Sequence, residues 1–178
     1  MNMKNWFLLM GFCALVACTR PQVGLQEKIT EAETALNLDS MPVPNKEKAS
    51  ELIKMYLDYA DNYKDDTLSP SYLFKAGEMS IAVGKFDQSI ELFGRVQRYP
   101  NSNKAGSALF MQGFVAENHK QDVEQAKIFY QKFLEKYPDH VLANDCRMLL
   151  QQLSLSPEAL IEMFEKQNGM TVSDSLPQ

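Results

Sequence analysis

Apolar residues recur along this chain at helical spacing, and the pattern is written more than once. Leu25, Ile29, Ala32 and Leu36 stand four, three and four apart, which lines one face of a modest amphipathic helix. A Pro-containing turn, Asp39 to Asn45, ends that helix. The next apolar set is Ala49, Leu52, Ile53, Tyr56, Leu57 and Ala60, and it predicts a helix over about Lys46 to Tyr63. Shifted by 77, the same set falls on Ala126, Phe129, Tyr130, Phe133, Leu134 and Tyr137. Ser69-Pro70 reads as an N-cap followed by Pro at the first helical position, opening a helix to about Val83. Gly84 closes it, and Phe86 leads into a partner helix, about Asp87 to Tyr99, which Pro100-Asn101-Ser102 breaks. Asp122, with Gln125 three residues on, resembles a capping box for a helix Val123 to Lys136. A last pair begins near His140, and its second helix opens at Ser156-Pro157 and ends before Gly169.

The middle of the chain is an internal repeat. Tyr72 to Pro100 and Ala108 to Pro138 are two copies of one pattern: Leu73 and Gly77 recur as Leu109 and Gly113, Phe93 as Tyr130, Val96 as Phe133, and Tyr99-Pro100 as Tyr137-Pro138. Self-similarity at that period is the mark of stacked helical hairpins, because one hairpin cannot bury its apolar face alone. The expected fold is therefore all-α, a superhelix of about three to four antiparallel hairpins. Leu25 to Leu36 with the helix after it reads as an earlier, degenerate unit. Lys166 stands where Phe133 stood, as a solvent-facing terminal unit requires.

The N-terminus carries a different pattern. Lys4 precedes an uncharged run from Trp6 to Cys18, which reads as the hydrophobic region of a signal peptide and is short for a membrane span. The run ends in Leu15-Val16-Ala17-Cys18, which resembles the lipobox of bacterial lipoproteins at all four positions. Ordinary signal cleavage is the competing reading, but it prefers a small residue where Leu15 stands. The resemblance implies cleavage before Cys18 and lipid on that cysteine, and two or three acyl chains anchor a protein durably. By resemblance to the sorting rule of enteric bacteria, Thr19 after the cysteine implies the outer membrane. Cys13 would be removed and Cys18 consumed, leaving Cys146 alone with no intrachain partner. The expected division is a signal peptide over 1–17, a lipidated tether over 18–24, a helical domain over 25–168 and a disordered tail over 169–178.

Charge narrows the partners. The chain has 178 residues and a net charge of −5, with no run of Lys and Arg, so nucleic acid is not an expected partner. His119 and His140 both fall in turns with no Cys or His at metal-ligand spacing, and no HExxH, CxxC or phosphate-loop motif is present. Neither a catalytic residue, a metal nor a cofactor is expected, and Cys146 reads as a small buried apolar residue.

Leu73, Gly77, Gly84, Phe86, Phe93 and Pro100, with Leu109, Gly113, Ala126, Tyr130, Phe133 and Pro138, resemble the tetratricopeptide repeat. Ser89 departs from the usual Ala, Ser80 from a large aromatic, and the second copy has one extra residue before Ala126. With the lipobox, the chain resembles small tetratricopeptide lipoproteins of the bacterial envelope, in the style of the lipoprotein partner of β-barrel assembly and the periplasmic Tol-Pal coordinator. The resemblance implies that the first helix of each hairpin lines a concave groove, with Phe74, Glu78 and Ile81 from one copy and Phe110, Phe114 and Glu117 from the other. Phe110 and Phe114, four apart, share a helix face and are expected to be surplus to the hairpin core. The competing expectation is that these aromatics pack against the N-terminal helix folded into the groove. The implied function is an outer-membrane-anchored, periplasm-facing adaptor binding an envelope protein or peptide segment. The alternative is a lipid-anchored capture protein for a small peptide or glycan.

Overall fold

Helix punctuation in the computed structural model, which describes residues 21–36 and 45–168, follows the signals in the sequence closely. Eight helices occupy these residues: α1 (Pro21–Leu36), α2 (Lys46–Asn62), α3 (Ser69–Ala82), α4 (Phe86–Val96), α5 (Ala105–Asn118), α6 (Val123–Lys136), α7 (Ala143–Gln152) and α8 (Pro157–Asn168). The side chain of Asn45 accepts from the Lys48 amide at 3.0 Å and that of Asp122 from the Gln125 amide at 3.0 Å, each satisfying an orphan donor of the first turn. Gly84 adopts φ +79°, which lets the Lys85 amide turn back to the Ser80 carbonyl at 2.7 Å. In the next hairpin the extra turn residue takes over this conformation, with Gln121 at φ 55°.

The expected all-α architecture is present. Each of α1–α2, α3–α4 and α5–α6 is an antiparallel pair, successive pairs stack through α2–α3 and α4–α5, and α7 packs on α6. Close approach within a pair depends on glycine. A Cβ at Gly77 would meet the Phe93 ring at 2.7 Å, and one at Gly113 would meet the Tyr130 ring at 2.5 Å. Polar side chains then fix one pair against the next: the Gln112 amide donates to the Ile90 carbonyl at 2.9 Å, that of Gln97 donates to the Ala105 carbonyl at 2.6 Å, and Arg95 pairs with Asp61. Two apolar clusters result, one from α1 to α5 and one from α5 to α7.

Four expectations change. α1 begins at Pro21, so residues 21–24 form a helical turn, not a tether. Pro is accommodated at a first helical position, where its missing N–H has no intrahelical partner. Ser69 does not cap α3: it lies inside the helix, fully buried, and its hydroxyl donates to the Tyr63 carbonyl, while Asp66 Oδ1 accepts from the Leu68 amide at 2.7 Å. α4 ends at Val96, and Gln97 to Tyr99 continue in tighter turns. α8 exists but is not packed closely on another described helix, and Ile161 is 56% exposed. No helix among the described residues is long and apolar enough to cross a membrane. The signal segment, Cys18 and the tail 169–178 lie outside the described residues.

Candidate functional site

The surface of α3 and α5 turned away from their partner helices follows from helical geometry. On α3, Ser71, Lys75, Glu78 and Ala82 lie on one side of the helix, about 100–160° around from Gly77, and all are exposed or half-buried, whereas Tyr72 on the other side packs on α2. Their counterparts on α5, 36 residues on, are Ser107, Met111, Phe114 and Asn118, which are likewise half-buried or exposed. Because α3 also touches α5 directly, the two rows form one continuous strip.

Of the groove residues named from the resemblance, Glu78 and Phe114 lie on this strip and the other four on its border. Phe74 is 8% exposed, with its ring 5.2 Å from that of Phe93 and Lys104 Nζ 5.1 Å above it, so it packs between hairpins and does not line a groove. Phe110, expected to be surplus to the hairpin core, is part of it: its ring stands 5.5 Å from Tyr130 and 5.7 Å from Phe133 of α6. The cause is angular. Phe74 and Phe110 are three residues before the close-contact glycines, about 60° around the helix from them, and so face the neighbouring helices more than solvent. Ile81 is half-buried against the larger cluster. Glu117 is occupied from within, since its Oε2 accepts from the Tyr130 hydroxyl at 2.7 Å. Burial, and then the bond to Glu117, hold that phenol protonated well above its ordinary range.

Lys75 and Met111 belong to the site and were missed, although both stand three residues before a named strip residue, a spacing that shares a helix face. Lys75 reaches back to Glu33 of α1 at 2.7 Å, and Met111 packs against the larger apolar cluster. Phe114 meets His119 edge-on at 5.9 Å, and His119 stacks on Phe86 at 4.6 Å, so three rings close one end of the strip. Glu78 is exposed to solvent at its surface but rooted among packed side chains. That desolvation raises its carboxyl above the usual range, while Lys104 and Lys75 pull the other way. The strip is thus an apolar centre, Met111 and Phe114, beside a mixed-charge patch, in place of the groove with both Phe110 and Phe114 open to solvent that the resemblance implied.

The N-terminal helix does not fill this strip in the way the competing expectation required. α1 packs chiefly on α2, and on the strip its Glu33 pairs with Lys75 of α3. The cavities at the turns between hairpins, of about 490 and 690 Å³, lie elsewhere and share Lys64, Asp65, Arg98 and Tyr99 in their walls.

Residues 107–140 match the family model of the tetratricopeptide repeat, a span that covers nearly all of α5 and all of α6. No curated protein matches the chain. The chain therefore carries a tetratricopeptide repeat at residues 107–140, set in an array of stacked antiparallel helix pairs.

Proposed function

We propose that this protein is a lipid-anchored adaptor of the outer membrane that docks an envelope protein, or a peptide segment of one, on the strip formed by α3 and α5. A tetratricopeptide repeat supports a protein partner in general. The observation that carries the finer reading is the half-buried pair Met111 and Phe114 beside exposed Glu78 and Lys75, on a strip that α1 reaches through the Glu33–Lys75 pair. An apolar anchor with a polar border is the anatomy of a docking site, and the apolar contact supplies most of the energy. Anchoring rests on Leu15-Val16-Ala17-Cys18 in the sequence, only a few residues before α1 begins.

Two variants test the two halves separately. Cys18→Ser should release the protein from isolated membranes, and continued retention would refute lipid anchoring. Pull-down from the native envelope in mild detergent should recover a stoichiometric partner with the wild type and lose it with Glu78→Lys, Phe114→Ser. Phe110 is unsuitable for this purpose because its ring belongs to the hairpin core. Recovery of the same partner by a folded double variant would place docking elsewhere.

A further inference from the structure

One end of the array carries apolar side chains that serve neither the core nor a turn. Because successive helices run antiparallel, α1, α3, α5 and α7 start at the same end at which α2, α4 and α6 finish. Side chains join the segments of that end to one another. Gln22, in the first turn of α1, donates to Asp66 in the turn between α2 and α3. Lys64 and Asp65 of the same turn share cavity walls with Arg98 and Tyr99 of the turn between α4 and α5. Gln97 Oε1 in turn accepts from the hydroxyl of Tyr137, at 3.5 Å, where α6 gives way to α7.

Three of the seven large apolar side chains exposed among the described residues stand at this end: Val23 in the first turn of α1, Leu68 just before α3 and Val141 just before α7. Leu68 is 40% exposed and Val141 86%. The charges around them nearly cancel. Lys64, Arg98 and Lys136 are exposed beside exposed Asp65 and Asp139, while Asp66 is already bonded to the Leu68 amide and to Gln22. Apolar tips among balanced charges suit the boundary between lipid headgroups and acyl chains, where the tips insert and the charges stay in water.

We infer that this end of the array seats directly on the membrane, with Leu68 and Val141 inserted at that boundary. The inference rests on lipid anchoring at Cys18, as proposed above. Cys18 stands three residues before Pro21, and three residues reach about 11 Å at most, however they run. A folded domain is thicker than that, so no protein fits between the acylated residue and the start of α1, and the occupant of this end is lipid. The seating also orients the strip. α3 and α5 rise from the membrane, and Phe114, toward the far end of α5, lies on the side where a partner can reach it.

Tryptophan quenching tests the seating on the mature protein purified from membranes. Trp6 is the one tryptophan of the chain and leaves with the signal segment, so Leu68→Trp, Val141→Trp and Val123→Trp each carry a single indole. Val123, 39% exposed at the start of α6 and hence at the opposite end, is the control. Each variant is placed in vesicles of phosphatidylethanolamine and phosphatidylglycerol, with or without bromine on the acyl chains near the headgroups, and its mass is measured. In acylated protein, bromine should lower the emission of Leu68→Trp and Val141→Trp about twofold and leave that of Val123→Trp unchanged, because inserted side chains lie only a short way below the headgroups. Acylated protein with unquenched emission from position 68 or 141, or with equal quenching at 123, would overturn the seating and leave the anchor standing. A mass without acyl chains would refute the anchor, and the seating with it.

Discussion

Gly113→Ala probes the contact on which the hairpin at residues 107–140 depends. The new Cβ would lie 2.5 Å from Cε1, 2.6 Å from Cδ1 and 3.1 Å from Cζ of Tyr130. That ring has nowhere to retreat. It is fully buried, its hydroxyl is bonded to Glu117 at 2.7 Å, and Phe110 stands 5.5 Å away. Overpacking of a filled core costs about 1–3 kcal/mol, and contact this close puts the site in the upper half of that range. Alanine returns up to about 1 kcal/mol through its better helix propensity, which leaves a net loss of about 1–2 kcal/mol. Gly24→Ala in α1 is the matched control, because nothing lies within 4 Å of its added Cβ. It should therefore gain up to about 1 kcal/mol. Thermal unfolding of the full-length chain, followed by circular dichroism, should show Gly113→Ala lower in Tm by about 2–8 °C. Hydrogen exchange should place the loss in α5 and α6, since stability in a stacked array is local to neighbouring units. If Gly113→Ala matches or exceeds wild type while Gly24→Ala behaves as expected, the close-packed hairpin is wrong.

Other substitutions bear on individual contacts. Ser89 Oγ is buried with no hydrogen-bond partner, so Ser89→Ala should stabilise the protein by about 1 kcal/mol in urea unfolding, and a loss would mean the hydroxyl is satisfied. Glu78 has its carboxyl raised by desolvation, so its ionised form is the disfavoured one in the folded protein. That penalty is absent below the unfolded carboxylate range and complete above the folded one. Glu78→Gln should accordingly raise Tm at pH 7 and lose the advantage as the pH falls through the carboxylate range; an advantage independent of pH would contradict this assignment. The Cys146 thiol is buried and pushed up to about 11, so peptide-level mapping at pH 8 should find it unlabelled by a thiol reagent until urea is added. Rapid labelling of the folded chain would refute its burial.

How much of this was legible in the sequence depends on whether a feature is local. Gly77 and Gly113, recurring opposite Phe93 and Tyr130, declared the hairpins because close helix contact demands a residue without a side chain. Asn45, Gly84 and Asp122 declared helix ends through hydrogen bonds that span only a few residues. Phe74 and Phe110 were harder. Their position on a first helix is local, but whether they face solvent depends on where the next hairpin packs. Lys104, just before α5, sits over Phe74, and the rings of α6 take Phe110. The carboxylates followed the same rule: Glu117 and Glu33 look free in sequence and are each engaged by a tyrosine of the paired helix. Ser69-Pro70 misled by one position because the Asp66 side chain and the Tyr63 carbonyl organise that turn from outside the usual capping frame.

The account turns on docking through the strip of α3 and α5, and site-specific photo-crosslinking tests it most directly. A photoreactive residue replaces Phe114 on the strip in one strain and Ile128, 48% exposed on α6, in another, with both proteins in their native envelope. One discrete protein adduct from position 114, competed by unlabelled wild type and absent from position 128, is the predicted result. An adduct from 128 with none from 114 would contradict the account and move the partner to the other side of the array.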